Sequence, residues 1–461
     1  MEKIKVSVLI YVLNDRMHIE KCVRSVMEQS LQELEILLID GGSTDGTLEK
    51  LEDLRDEDAR IRIIRCGSGV GVQFNTGLKE ASGKYIGICE SDDYLLKDMY
   101  ERQYAVAEKY ELDVLRANIM RFCENNDRLY SVRSAVASDT TLYDTILYPQ
   151  KDDRFLNLGV NCFWSGLYRR EFLINNDIYM NETKGASYQD TGFSFLTQMY
   201  AERAYVMSEA FYCYRMDNPS SSINNPMKAS LLNTEYQLLK KELKQRNLWY
   251  KYMEIYWKWR VNGFLWAYDN VSDEKKAEYL PILYKDMRDE METESYSETA
   301  LSVKERQVCD IVRASSKKFK AFFEAMDATR RQQEKRINSI GADDDIVIFG
   351  TGNLGLLVNC CFGQKECQVV GCIDNDLRKW EKEFDGLKIL SPEEGIKRYP
   401  NAIYIIANVV HSREMKEQLQ YLGVKEEKIV VCDNYDLFVA NILVPKMKKD
   451  ENNDYCYSTN L

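Results

Sequence analysis

Short, fully apolar runs separated by amphipathic segments fill roughly the first 115 residues. "KVSVLIYV", "LEILLID", "IRIIRC" and "YIGIC" read as buried strands, and the spacing between them predicts helices over 19–29, 47–54 and 72–81. Strands of this kind alternating with helices predict an α/β fold, a mostly parallel sheet covered by helices. From 112 to about 225 the pattern is mixed, with aromatic segments between polar loops. Residues 227–340 lack strand signals and read as long helices. After Gly341 the strand signature returns in "DDIVIFGTGNLG", "QVVGCIDND" and "AIYIIANVV", which predict a second α/β domain. The expected organisation is 1–226, 227–340, 341–445 and a flexible tail, 446–461.

Composition narrows the class. A chain of 461 residues exceeds one ordinary core. With 45% hydrophobic and 30% charged residues it reads as globular, and a formal charge of -12 argues against nucleic acid or an anionic membrane as a general partner. Small molecules and glycans fit better. No run of about 18 apolar residues occurs, and the N-terminal residues lead into a strand pattern, so a cytoplasmic protein without a transmembrane segment is expected. The 13 cysteines are scattered and form no CxxC pair, which predicts reduced, buried thiols over disulfides or a zinc site.

Three loops carry the chemistry. "GICESDDYLL" ends a strand in Glu90, Asp92 and Asp93, a concentration of negative charge that calls for a cation. "IDGGSTDGT" closes a strand at Asp40 and opens a helix through glycines and capping residues. "YVLND" ends the first strand at Asn14-Asp15. Because each loop follows a strand, all three are expected at one edge of the sheet, where parallel sheets bind ligands.

The order of these pieces resembles the nucleotide-sugar-binding half of family 2 glycosyltransferases of GT-A fold. The resemblance implies a metal-dependent inverting glycosyltransferase with a UDP-sugar donor and a glycan or lipid-linked glycan acceptor, in surface polysaccharide synthesis. It implies donor contacts from Val12, Asn14, Asp40 (to uracil), Asn75, Ser91, Asp92 and Arg215. A Mn2+ or Mg2+ would be held by Asp92 and Glu90, less directly by Asp93. Within "WSGLYRREFLINNDIYMNETKGASYQDTGFSF" it implies Asp190 as the base that takes the acceptor's proton. At a helix N-terminus that carboxylate is expected to have a depressed pKa, and an N-cap is its structural alternative. "FYCYRMDNPSSSIN" places Arg215, with Ser222 nearby, at the diphosphate. The chain departs from the family at Glu90 and Gln189, where Asp and Glu are usual, at Phe74 for the common Arg, and at Tyr11 for Pro.

Trp164 is either core or a sugar-stacking surface. The aromatic crowd from Trp249 to Tyr268 is either a bundle core or an acceptor platform that makes peripheral membrane contact. Gly350, Gly352 and Gly355 stand in GxGxxG spacing after a strand, with Asp374 closing the next strand, so a second nucleotide site is expected there. This segment also resembles the small nucleotide-sugar-binding domain that precedes some bacterial sugar acyltransferases. Two other readings compete: a catalytically altered nucleotide-sugar-binding scaffold, and an NAD(P)-dependent oxidoreductase using the glycine turn.

Overall fold

The computed structural model describes residues 3–432 apart from 126–127, 138, 159–160, 186, 217, 219–228, 270–272, 295, 353, 356–357, 360–361, 363–366 and 409–410, together with 448–449 and 455–456. Ser222 lies outside the described residues. The chain divides into two compact units, Met1–Met120 with Ser134–Phe322, and Arg121–Arg133 with Phe323–Leu461.

In the first unit the apolar runs become β1 (Val6–Val12), β2 (Leu34–Asp40), β3 (Ile61–Arg65) and β4 (Tyr85–Ile88). Every residue of β1, β2 and β4 is buried, as expected of strands covered on both faces. β1 pairs in parallel with β2 and β4, and β2 with β3. The crossovers are α1 (Ile19–Met27), α2 (Thr47–Glu57) and α3 (Val70–Glu80), close to the spans the periodicity predicts. Beyond β4 the sheet continues through β5 (Tyr94–Leu95), β6 (Val114–Asn125), β7 (Arg128–Ser134), β8 (Ile146–Leu147), β9 (Leu167–Arg169) and β10 (Ala204–Arg215). Its order is β3-β2-β1-β4-β9-β6-β10-β5, with β7 on β6 and β8 on β10. The β4–β9 and β10–β5 pairs are antiparallel.

Helices α4 (Met99–Lys109), α5 (Arg170–Asn175) and α6 (Asp190–Tyr200) cover this extension. Glycine is required at position 87 of β4, because a Cβ there would lie 2.6 Å from the Tyr100 ring of α4. The predicted helical stretch forms α7 (Ala229–Gln245), α8 (Trp249–Asp269), α9 (Asp273–Thr293), α10 (Val303–Ala314) and α11 (Ser316–Asn338). Its residues 229–322 cluster with the first unit, where α7 packs on α6, and the rest of α11 falls in the second. Tyr256, Trp257 and Tyr268 are fully buried and Phe264 is nearly so, which makes the aromatic crowd of α8 a core, not a platform. Tyr250 is the exposed exception. Buried Arg260 pairs with Glu290 at 3.1 Å, and Tyr256 donates to the same carboxylate at 2.5 Å.

The second unit holds β11 (Asp345–Phe349), β12 (Gln368–Ile373), β13 (Glu383–Phe384), β14 (Leu387–Leu390), β15 (Ile403–Ala407) and β16 (Ile429–Cys432). Their order is β13-β14-β12-β11-β15-β16, parallel except for the β13–β14 pair. In the predicted tail, Lys448–Lys449 pairs with Tyr455–Cys456. The described cysteines are free thiols, nearly all buried. Among the described residues no helix is long and apolar enough to cross a membrane.

Candidate active site

The parallel register sets Val12 beside Asp40, so the loops after β1 and β2 leave the sheet together. Asn14 adopts a left-handed φ of 53°. That turn lets its N–H donate to Ser43 Oγ at 3.0 Å while its Oδ1 accepts from the Thr44 N–H at 2.8 Å. The Val12 carbonyl accepts from the Gln73 amide at 2.9 Å. Asp40 is fully buried; Oδ1 accepts from the Ser43 N–H at 3.0 Å, whereas among the described residues Oδ2 has no hydrogen-bond donor, and the Arg65 Nε lies 3.8 Å away. A buried carboxylate oxygen without a donor costs free energy until a ligand supplies one. Asp15 joins the first loop to the acidic one. It pairs with His18 at 2.7 Å and accepts from Ser91 Oγ at 2.6 Å. Burial pushes its pKa up, but these hydrogen bonds outweigh burial and hold it below the usual value. The Ser91 hydroxyl is thereby engaged within the protein.

Past β4, the three carboxylates have different surroundings. Asp93 is buried, accepting from Tyr212 O–H and from the Arg215 N–H, both at 2.7 Å. Burial raises its pKa, and its contacts make it the anchor of the end of β10. Asp92 Oδ2 accepts from Asn218 at 2.6 Å, and the Asp92 carbonyl accepts from Arg215 Nε at 2.9 Å. Burial raises its pKa as well. The Glu90 carboxyl accepts from Tyr11 O–H at 3.4 Å, and burial, then the charges of Asp92 and Asp190, push it up to about 8. On Glu90 the neighbouring charges are like charges, those of Asp92 and Asp190. Hard oxygen ligands crowded together in this way are the donor set that suits Mg2+ or Mn2+. Among the described residues no cage of three or more protein ligands exists. A cation shared between one or two carboxylates and a ligand's phosphates needs none.

Asp190 opens α6 at the end of a strap, residues 178–189, that is gripped by α3. The Asn75 amide donates to the Met180 carbonyl at 2.9 Å and to Glu182 at 3.0 Å, and its oxygen accepts from the Met180 N–H at 3.0 Å. Asn75 therefore holds the strap. A Cβ at Gly71 would come within 2.0 Å of the Asn181 carbonyl, so α3 and the strap meet backbone to backbone. The N-cap position belongs to Gln189, without a side-chain cap, and Asp190 is the first helical residue. Its Oδ2 accepts from Asn161 at 2.8 Å. The expected depression of its pKa is reversed. Burial, with Glu235 adding to it, pushes Asp190 up to about 6, against the opposing pull of a backbone hydrogen bond and Arg116. Tyr188 precedes it at a φ of 70°, its ring edge-on to Trp266. The charge of Asp190 acts on both Glu90 and Tyr11, so the base candidate lies within electrostatic reach of the acidic loop.

Trp164 is not a sugar surface: it is buried, stacked on Tyr212 at 4.1 Å and on Tyr214 at 5.0 Å. Phe74 is buried against Phe193 of α6, so this position packs a helix. Sequence reasoning missed Tyr212, Asn218, Gln73 and Glu235. Each acts through a partner distant along the chain, and none lies in a loop that follows a β1–β4 strand.

In the second unit the three glycines differ. A Cβ at Gly350, which has φ 108°, would lie 2.8 Å from the Ala407 carbonyl, and one at Gly355 would lie 2.1 Å from the Gly350 carbonyl. Among the described residues, none apart from its chain neighbours lies within 4 Å of a Cβ placed at Gly352. Asp374 spans the turn, with Oδ2 accepting from the Thr351 N–H at 2.9 Å and hydroxyl at 2.6 Å and from Lys379 at 2.9 Å.

Residues 7–176 match the family model "Glycosyl transferase family 2", and residues 342–430 match one described as "C2185-like, N-terminal". The uncharacterized glycosyltransferase EpsJ of Bacillus subtilis (strain 168) is 30% identical over 236 residues, 50% of this chain and 67% of that protein. TuaG of the same organism, named for teichuronic acid biosynthesis, is 30% identical over 225 residues, 48% of this chain and 82% of its own length. The crystal structure of S. aureus TarS 1-349 in complex with UDP-GlcNAc matches with a TM-score of 0.52 at 20% identity, covering 70% of this chain and 92% of that one.

Proposed function

Because this chain belongs to glycosyl transferase family 2, we propose that it moves a sugar from a nucleotide diphosphate donor, a UDP-sugar, to a hydroxyl of a glycan acceptor with inversion at the anomeric carbon. The observations that carry this reading are the convergence of Asp92 and Asp190 on Glu90, near enough for their charges to act on it, and a buried Asp40 oxygen that has no donor among the described residues. Asp40 Oδ2 accepts the imide N–H of uracil. Asn14 and its bonds to Ser43 and Thr44 keep that loop in shape for the nucleoside.

Asp190 removes the proton from the acceptor hydroxyl. The oxygen attacks the anomeric carbon from the face opposite the leaving group, and the bond to the diphosphate oxygen breaks. When bound, a Mn2+ or Mg2+, which Asp92 and Glu90 would hold, supplies positive charge to the departing diphosphate. A base near neutral pKa suits the task, and burial gives Asp190 such a value. The name of TuaG supports a surface polysaccharide as the acceptor. At the glycine turn the open space beside Gly352 supports a second, non-redox nucleotide site.

Calorimetric titration of UDP with Mn2+ tests the donor half. Binding by the wild type and its loss in Asp92→Asn are expected; equal affinity in the two would refute the assignment of Asp92.

A further inference from the structure

We propose that Glu235 of α7 is a positioning residue for Asp190, acting through Thr183 and Gln189. The role rests on the reading of Asp190 as the base. Glu235 is 1% exposed, and both its oxygens are spent on the strap ahead of Asp190. Oε1 accepts from Thr183 Oγ1 at 2.6 Å, and Oε2 accepts from the Asn181 amide at 2.7 Å. The Thr183 hydroxyl in turn accepts from Gln189 Nε2 at 3.0 Å. Gln189 also donates to the Gly185 carbonyl at 3.2 Å and accepts from the Ser187 N–H at 2.6 Å, which locks the residue bonded to Asp190. An unbroken run of contacts therefore leads from the helical stretch to the first residue of α6.

The choice of a carboxylate is informative. Among the described residues no basic side chain offsets Glu235, and burial raises its pKa. A glutamine, with one acceptor and a donor in place of the second, could not accept from both Thr183 and Asn181, whereas a carboxylate satisfies both at the cost of burying a charge. The charge itself reaches Asp190, where it strengthens the proton affinity that a base requires. Because α3 grips the opposite side of the strap through Asn75 and Gly71, Glu235 completes a clamp that keeps Asp190 at a fixed place relative to the donor loops. A small displacement of a catalytic group is enough to cost much of a rate.

The test is a double-mutant cycle on the full chain: wild type, Glu235→Gln, Glu235→Ala, Asp190→Asn and the Glu235→Gln/Asp190→Asn pair. The readouts are kcat for sugar transfer, donor KM, Mn2+-dependent UDP affinity and thermal unfolding. Both single Glu235 variants should lose about tenfold or more in kcat, with donor KM and UDP affinity within about twofold of wild type. Glu235→Gln, which gives up one of the two bonds but keeps the volume, should stay folded at the assay temperature, and it should cause no further loss once Asp190 is asparagine. Wild-type kcat in both variants, full additivity in the pair, or donor affinity falling in step with kcat would each overturn the proposal. Wild-type kcat in Asp190→Asn would bring down the base assignment itself, and this role with it.

Discussion

Glu90→Gln should stabilise the metal-free protein, and by an amount that depends on pH. The Glu90 carboxyl is pushed from an ordinary value of 4.5 to about 8 by burial and by the charges of Asp92 and Asp190. The folded state thus holds this proton more tightly than the unfolded chain. Its contribution to stability is full below pH 4.5, falls as pH rises through the window up to about 8, and is constant beyond. At about 1.4 kcal/mol per pH unit of difference, keeping Glu90 protonated in the folded state at neutral pH, where the unfolded chain has lost that proton, costs roughly 3 kcal/mol. Glutamine keeps the shape and removes that cost. For a unit of this size the gain corresponds to a rise in Tm of roughly 5 °C or more at pH 7 to 8, shrinking to nothing near pH 4.5. The assay is thermal unfolding of both proteins in chelator across that range. Adding Mn2+ should reverse the order at pH 8, because the cation offsets the charge in the wild type and loses a ligand in the variant. A variant less stable than wild type at pH 8 in chelator, or a difference that does not change with pH, would refute the account of the acidic loop.

Asp40→Asn should weaken UDP binding about tenfold or more, since the unpaired oxygen faces an N–H only as a carboxylate; equal affinity by calorimetry would take uracil away from this residue. With Asp190 at about 6, transfer should rise with pH through that value and level off above it, and a pH–rate profile flat down to pH 5 would count against its role as base. In the second unit, Gly355→Ala should lower the Tm of that unit, because its Cβ would meet a carbonyl oxygen at 2.1 Å, whereas Gly352→Ala should leave it unchanged; unfolding curves that rank them the other way would contradict the geometry of the turn.

The parallel half of the sheet was legible because its strands are short, wholly apolar and bounded by loops with distinctive residues. Val12, Asn14, Asp40 and the acidic run all leave the carboxyl ends of β1, β2 and β4, as the order of strands implies. The antiparallel extension was not legible, since β5, β8 and β9 are two or three residues long and take their form from β10, β6 and β4. Side-chain roles were harder still. Asp93 looks like Asp92 in sequence, yet its oxygens are taken by residues more than a hundred positions away. Asn75 carries a family resemblance as a donor contact, but its amide matches the backbone of Met180. For Asp190, a helix start predicts a lowered pKa, and the burial that raises it comes from tertiary packing which no local pattern encodes.

Mass-spectrometric detection of sugar transfer, run with a panel of UDP-sugars, Mn2+ and glycan acceptors for wild type and Asp190→Asn, tests the central claim most directly. The account predicts a glycosylated product from the wild type and a loss of about two or more orders of magnitude in rate for the variant, with Mn2+-dependent UDP binding retained. UDP binding by the wild type without transfer or donor hydrolysis anywhere in the panel, or equal turnover in Asp190→Asn, would contradict it.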